Sequence, residues 1–350
     1  MKKTLTWLLE RFAKIIPLWL YPLFMRRESI DFFYHAVSDE PMEHARHLYP
    51  VVPVAQFEEA LNFLQERYQF VSYGRIHASR TGGESLPQKA LHLSFDDGFA
   101  ECFSVVRPLL LERSIPCTFF LSTDWIDNRA MFYRNKVSLC IEHLHDNPAD
   151  ISLLRDLTLN APTLDATASN AVIQWLKELR LPDEDTINEV CRILGVDWET
   201  FLGENQPYLT ISQIQQMHAE GFTIGAHTIT HRKLKDLSDA EIEEEIVESC
   251  LVIQEITGQE IVPFSFPHSA FGIDRSLLSY IRAMHSFVGL LFDTKGVRKD
   301  ENFIVNRVWA EQPLTPERKL HSLPEVLRNA YQEAWVDGVM ELGRKLRRSE

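Results

Sequence analysis

Cysteine is scarce in this chain: Cys102, Cys117, Cys140, Cys191 and Cys250 are the only five in 350 residues, odd in number and without any Cys-x-x-Cys spacing. That pattern argues against a disulfide framework and for a reducing compartment. Cys117 and Cys140 fall among apolar residues and read as small buried hydrophobes rather than nucleophiles or ligands. Positive charge is short as well. A formal net charge of -14 leaves no basic excess to neutralise a phosphate backbone, so nucleic acid is excluded as the main partner, and the acidic balance goes with solubility. A membrane-spanning run is also missing. The one clean apolar stretch, residues 15–25, carries Pro17 and Pro22 and closes on Arg26 and Arg27, short of the ~20 residues a spanning helix needs. Glu10, Arg11 and Lys14 interrupt the residues before it, and no small-residue cleavage site follows. The chain is therefore expected in the cytoplasm. Residues 1–28 form either an interfacial amphipathic segment, with Trp7, Trp19 and Tyr21 among bases, or an ordinary helix packed on the body. The first option would put the protein in peripheral contact with the inner face of a membrane. Repeats and low-complexity tracts are absent too.

What is present is an alternation. Hydrophobic content of 45% and charged content of 25% are those of a folded soluble protein. Strand-like runs at 30–34, 70–73, 91–95, 117–121, 222–226, 264–266, 287–292 and 303–308 are separated by helical patterns. Such alternation predicts a parallel sheet closed as an irregular α/β barrel. The clearest helix runs over 238–257, with Ser238 and Glu241 in a capping-box pattern and Gly258 as its stop. From 125 to 209 the pattern is helical without a strand, which reads as an insertion lying either over the barrel mouth or on its flank. The chain thus divides into a segment 1–28, a barrel 29–310 with its insertion 125–209, and a helical tail 311–350. Basic residues near the tail's end, Arg344, Lys345, Arg347 and Arg348, complement a helix dipole.

Two motifs carry chemistry, and both stand where a strand-like run stops. Ser94-Phe95-Asp96-Asp97-Gly98 follows 91–95, and His227-Thr228-Ile229-Thr230-His231 follows 222–226. In parallel α/β architectures the carboxyl ends of strands line the site. Alone, an Asp-Asp-Gly is more often a turn, and a His-x-x-x-His is little better. Together, Asp97, His227 and His231 make a two-histidine, one-carboxylate set that can hold a divalent ion with positions left open. Histidines four apart face the same way on a helical turn. Asp96 has a separate task, because adjacent side chains at a strand end diverge. It is the general base for a water whose pKa the ion lowers. A glycosidase is disfavoured, since two neighbouring carboxylates cannot flank a sugar ring roughly 5–9 Å apart.

On these motifs the chain resembles the NodB-homology polysaccharide deacetylases, carbohydrate esterase family 4. The likeness extends through residues 115–120 and 221–226 and covers roughly 29–310. It implies a deformed (β/α) barrel with a helical insertion, a divalent metal that is most often zinc, and hydrolysis of N- or O-acyl groups on sugars. It also implies Asp96 as base and Asp97, His227 and His231 as metal ligands. The chain departs from the family at Ser265-Phe266-Pro267-His268, which lacks the arginine that orients the base. Arg307 could replace it, or could form only a surface ion pair. Pro267 and His268 stand where the family's oxyanion-binding backbone lies, a contribution that survives side-chain change. The family's late histidine is not recognisable, and His321 sits in the wrong context. His35, at the end of 30–34, resembles the Tyr-His of the lipopolysaccharide-type branch and is the candidate acid, with a merely backbone-bonded histidine as the alternative. Asp124 and Asp293 also fall at strand ends and could contact sugar hydroxyls or cap loops. The expected activity is removal of N-acetyl groups from amino-sugar units of a bacterial polysaccharide or its lipid-linked precursor, the partner being the saccharide. The alternatives are a catalytically silent saccharide-binding protein on the same scaffold and a hydrolase of another acyl group, formyl or O-acetyl.

Overall fold

A computed structural model describes residues 29–158, 169–314 and 320–346, together with Arg11, Ile16 and Tyr21. Its strands are β1 (Ser29–Tyr34), β2 (Gln69–Phe70), β3 (Ala90–Phe95), β4 (Thr118–Leu121), β5 (Thr223–Ala226), β6 (Val262–Ser265), β7 (Val288–Asp293), β8 (Ile304–Asn306) and β9 (Val308–Trp309). All pair in parallel, in the order β8-β7-β6-β5-β4-β3-β1-β9, with β2 added beside β3. The two ends of that order, β8 and β9, are separated in sequence by Arg307 alone. One short segment therefore joins β7 on one side to β1 on the other and makes the sheet a nearly closed (β/α) barrel. The expected run 303–308 is this segment, interrupted at Arg307.

Parallel strands sandwiched between outer helices and a filled lumen are apolar on both faces. β3, β4, β6 and β7 are buried along their whole length. On β3 the two-residue period assigns the faces. Leu91, Leu93 and Phe95 join the large core between sheet and helices. His92 and Ser94 face the lumen, where His92 Nε2 meets Thr118 Oγ1 at 2.9 Å and fills space. Among the outer helices, Asp239–Thr257 starts at the capping box of Ser238 and Glu241 and stops at Gly258, whose φ is +72°. The expected strand 70–73 is corrected: β2 ends at Phe70, and Ser72 caps a helix, Tyr73–Arg80. Tyr73 turns inward to pack on Phe292 and accept a hydrogen bond from the Leu290 N–H.

Between β4 and β5 the described residues hold only helical elements, chiefly Tyr133–Asp146, Ser169–Glu178, Glu184–Leu194 and Trp198–Asn205. They enclose a second core around Cys140, Ile141, Val172, Leu176, Ile187 and Val190. All five cysteines are buried and free. The tail is the helix Leu323–Leu346, and the side chains of its terminal basic residues lie outside the described set. Tyr21 is fully buried and stacks on Tyr331 of that helix at 5.5 Å. Trp7 and Trp19 lie outside the described residues. Among the described residues no helix is long and apolar enough to cross a membrane.

Candidate active site

Asp96 and Asp97 diverge because the backbone turns between them. Asp96 still follows the strand, its N–H donating to Tyr34 O at 2.9 Å. Asp97 and Gly98 then take φ of +74° and +76°, a left-handed pair that a short Asx side chain and a glycine tolerate. A Cβ at Gly98 would stand 2.8 Å from Leu121 Cδ2, so glycine is needed for space as well as for conformation. Asp96 is thereby aimed into the lumen and Asp97 at the loop after β5.

That loop brings His227 and His231 together without a helix, contrary to the helical-turn expectation. Thr228 and His231 have φ of +67° and +59°. The loop is tied by Thr228 Oγ1, which accepts from His231 N–H at 2.8 Å. Glu245, buried on the Asp239–Thr257 helix, accepts from the Ile229 N–H at 2.8 Å and the Thr230 hydroxyl at 3.0 Å. His227 Nδ1 lies 2.8 Å from Ser265 O. Donation to that carbonyl puts the proton on Nδ1 and leaves Nε2 as a lone-pair donor.

Asp97 Oδ1 is 3.6 Å from His227 Nε2 and 3.4 Å from His231 Nε2. One ligand atom from each of the three lies within 4.8 Å of the others. Asp97 Oδ1 is buried and accepts no hydrogen bond. An anionic oxygen in that state is costly unless a cation completes it, so the donor set fits a divalent ion. The other carboxylate oxygen, Oδ2, accepts from Tyr49 Oη at 2.5 Å. Burial would raise the Asp97 pKa, but His231, His35 and His227 outweigh it and hold the carboxyl well below the usual range. Burial, the largest influence on His227, lowers its pKa to about 4. His227 is thus neutral at ordinary pH.

Beside this set, Arg307 reaches Asp96 from the barrel seam. Its two terminal nitrogens donate to Asp96 Oδ1 at 2.7 Å and Oδ2 at 2.8 Å, and also to Ser94 Oγ at 2.9 Å and Ser265 Oγ at 2.6 Å. The guanidinium is fully buried, with its carbon 4.4 Å from the Phe33 ring centroid and 5.1 Å from that of Phe120. It is no surface ion pair. Burial pushes the Asp96 pKa up, yet Arg307 and then His227 bring it below the normal carboxylate value.

His35 stands on the opposite wall, stacked on Tyr49 at 4.5 Å. Its Nδ1 and Glu311 Oε1 form a short hydrogen bond, and Glu311 also accepts from the His35 N–H at 3.1 Å and from Trp309 Nε1 at 3.2 Å. Burial lowers the His35 pKa, but Glu311 more than offsets it and the net value rises to about 9. His35 is therefore not a merely backbone-bonded histidine. Sequence reasoning missed Glu311, Tyr49 and Glu245. Glu311, just past the strand run that ends at 308, carried a readable strand-end signal; Tyr49 and Glu245 carried none.

Asp96, Asp97, His227, His231, His35 and His268 line one cavity of about 350 Å³, walled by Phe33, Phe132, Phe266 and Trp309. Phe132 comes from the insertion, which therefore reaches the mouth. His268 has φ of +62°, and its pKa is lowered to about 3, mainly by burial. Pro267, Asp124 and Asp293 are not among the lining residues. Asp293 is fully buried, and its Oδ1 accepts from the Ala270 and Thr294 N–H groups at 2.8 Å, which makes it an organiser of the loop after β6. Asp124 sits in the turn Thr123–Asn128, where burial raises its pKa. Asp293 stays away from the cavity because the backbone N–H groups of Ala270 and Thr294 take up its carboxylate.

A parallel barrel that gathers one aspartate and two histidines at strand ends, beside a second carboxylate anchored by a buried arginine, is an α/β barrel with a candidate metal site. The polysaccharide deacetylase family model matches residues 163–285. The poly-beta-1,6-N-acetyl-D-glucosamine N-deacetylase of Escherichia coli K12 is 32% identical over 98 residues, 28% of this chain, and the match spans 14% of that relative's length. Among solved structures, a Streptococcus pyogenes deacetylase in complex with acetate is 15% identical with a TM-score of 0.52, covering 86% of this chain and 97% of that one. IcaB from Ammonifex degensii is 16% identical with a TM-score of 0.51, covering 87% and 97%. The chain is thus similar to the polysaccharide deacetylases over residues 163–285 and shares the barrel fold of these solved structures.

Proposed function

We propose that this chain is a metal-dependent carbohydrate N-deacetylase that releases acetate from N-acetylhexosamine units of a bacterial polysaccharide or of its lipid-linked precursor. The observation that carries the reading is a three-donor ligand set, Asp97, His227 and His231, sharing one cavity with a separate carboxylate, Asp96, that Arg307 holds by both oxygens. Arg307 takes the base-orienting position for which residues 265–268 supply no arginine. The E. coli relative's amino-sugar polymer supports the substrate class.

A divalent ion held by those three residues, zinc being suited to one carboxylate and two imidazoles with an open position, supplies Lewis acidity to the acyl carbonyl and lowers the pKa of adjacent water. Asp96 stays ionised beside Arg307 and takes the proton of the attacking water. His268 lines the cavity, and its backbone N–H is the donor assigned to the developing oxyanion. His35, kept protonated by Glu311, delivers a proton to the departing amine. Trp309, Phe33 and Phe132 offer apolar faces to the sugar ring.

The test is release of free amine and acetate from N-acetylated oligosaccharides and nucleotide- or lipid-linked amino sugars, with chelator and zinc add-back. Turnover that survives chelation, or no release from any substrate, refutes the proposal. Parallel assays on N-formyl and O-acetyl sugars decide the acyl group.

A further inference from the structure

One cation on the active-site wall is engaged by no carboxylate among the described residues. Arg134 sits in the first turn of the helix Tyr133–Asp146, partly buried, and lines the same cavity as Asp96, Asp97, His227 and His231. It makes no hydrogen bond or ion pair with any described residue. The surrounding cations differ. Lys136, two residues on, donates to Glu184 at 2.9 Å and Asn188 at 3.0 Å and lies 4.1 Å from the Trp198 ring centroid. Arg46, against the same helix, donates to Glu142 at 2.6 Å. Behind the cavity wall, Arg307 is matched by Asp96, and on the wall His35 is matched by Glu311. No acidic residue lies in the first turn of the Tyr133–Asp146 helix, so Arg134 has no carboxylate on its own turn.

A guanidinium is a planar fork of donors whose geometry matches an oxyanion. Partly withdrawn from water on an aromatic wall, it lacks the complement that its neighbours possess. The chain as a whole carries a net charge of -14, so an anionic ligand gains little from the general field and needs a local cation.

We propose that Arg134 recognises an oxyanion carried by the substrate, so that the cavity takes an amino sugar bearing a phosphoryl or carboxylate group close to its N-acyl substituent. The inference rests on the deacetylase reading for the N-acyl sugar but not for the contact itself. The insertion would then select among substrates through charge, while the barrel performs the chemistry.

The experiment measures equilibrium binding and turnover of three probes: N-acetylglucosamine 1-phosphate, N-acetylmuramic acid with its carboxylate, and a neutral N-acetylglucosamine oligomer. Wild type is compared with Arg134→Gln and Arg134→Lys, each checked for folding by thermal melting. The expected result is that Arg134→Gln weakens binding of at least one charged probe by about tenfold relative to the neutral probe. Arg134→Lys, which keeps the charge, should recover part of that ratio, and added salt should lower it in wild type. The two charged probes separate phosphoryl from carboxylate recognition, and selectivity for either supports the proposal. A charged-to-neutral binding ratio unaltered in Arg134→Gln overturns it. Binding that shows the ratio without acetate release from any probe sinks the deacetylase reading and leaves the anion contact standing.

Discussion

Arg307 grips both carboxylate oxygens of Asp96, at 2.7 and 2.8 Å, from 211 residues further along the chain. The contact exists because Arg307 is the single residue between β8 and β9. At the seam its side chain enters the lumen where β3 delivers Asp96. Both groups are buried, so the pair is hard to break from one side: removing one partner strands a charge in a medium that cannot solvate it.

Arg307→Leu should accordingly lower unfolding free energy by about 3–5 kcal/mol. The double variant Arg307→Leu with Asp96→Leu should recover much of that loss. Denaturant titration of the four proteins in the cycle measures the coupling, and additive losses would show that the pair is not the unit described.

Asp96→Asn should cut turnover by about 10²–10⁴-fold, the usual worth of a general base. Metal should remain bound, because the ligand set does not include Asp96. His227→Ala should instead lose the metal. Calorimetric zinc titration beside the amine-release assay separates the two effects.

Tyr49→Phe removes the hydrogen bond to Asp97 Oδ2 while keeping the ring that stacks on His35. Outer partners of ligating groups contribute about 10–100-fold in metal affinity. A loss in that range is expected by competition with a chelating dye, and an unchanged affinity would assign Tyr49 to packing alone.

Glu311→Gln addresses the opposite wall. Glu311 holds the His35 pKa at about 9 against burial, so without it the pKa should fall. If protonated His35 is the acid, the alkaline limb of the kcat profile moves to lower pH. The linkage has the same sign. A folded pKa above the ordinary histidine value of 6.5 means a stabilisation fully present below 6.5 and lost as pH rises through about 9. Wild type should lose stability across that window and Glu311→Gln should lose less.

His44 gives a pH effect remote from the ligands. Burial against Phe99, Phe201 and Tyr208 lowers its pKa to about 4. The unfolded chain then binds the proton first, and stability falls as pH drops from 6.5 to about 4, by up to about 1.4 kcal/mol per pH unit. His44→Phe should flatten that limb in thermal melts between pH 7 and pH 4.5.

The sequence by itself determined the alternation that becomes a parallel barrel, and it marked the strand ends that carry Asp96, Asp97, His227 and His231. Those features are local: the two-residue strand period, an Asp-Asp-Gly turn and a capped helix act through near neighbours in the chain. Even there the histidine loop is shaped by left-handed turns and by Glu245 rather than by a helical turn. Only the tertiary structure decided that Arg307 grips Asp96, that Glu311 charges His35, that Tyr49 steadies Asp97, and that Arg134 shares a cavity with Asp96, His35 and Asp97. Each of these contacts joins residues far apart in sequence, brought together by closure of the barrel and by the insertion folding over its mouth. Their energy resides in burial and charge matching between distant segments, which no short window of sequence contains.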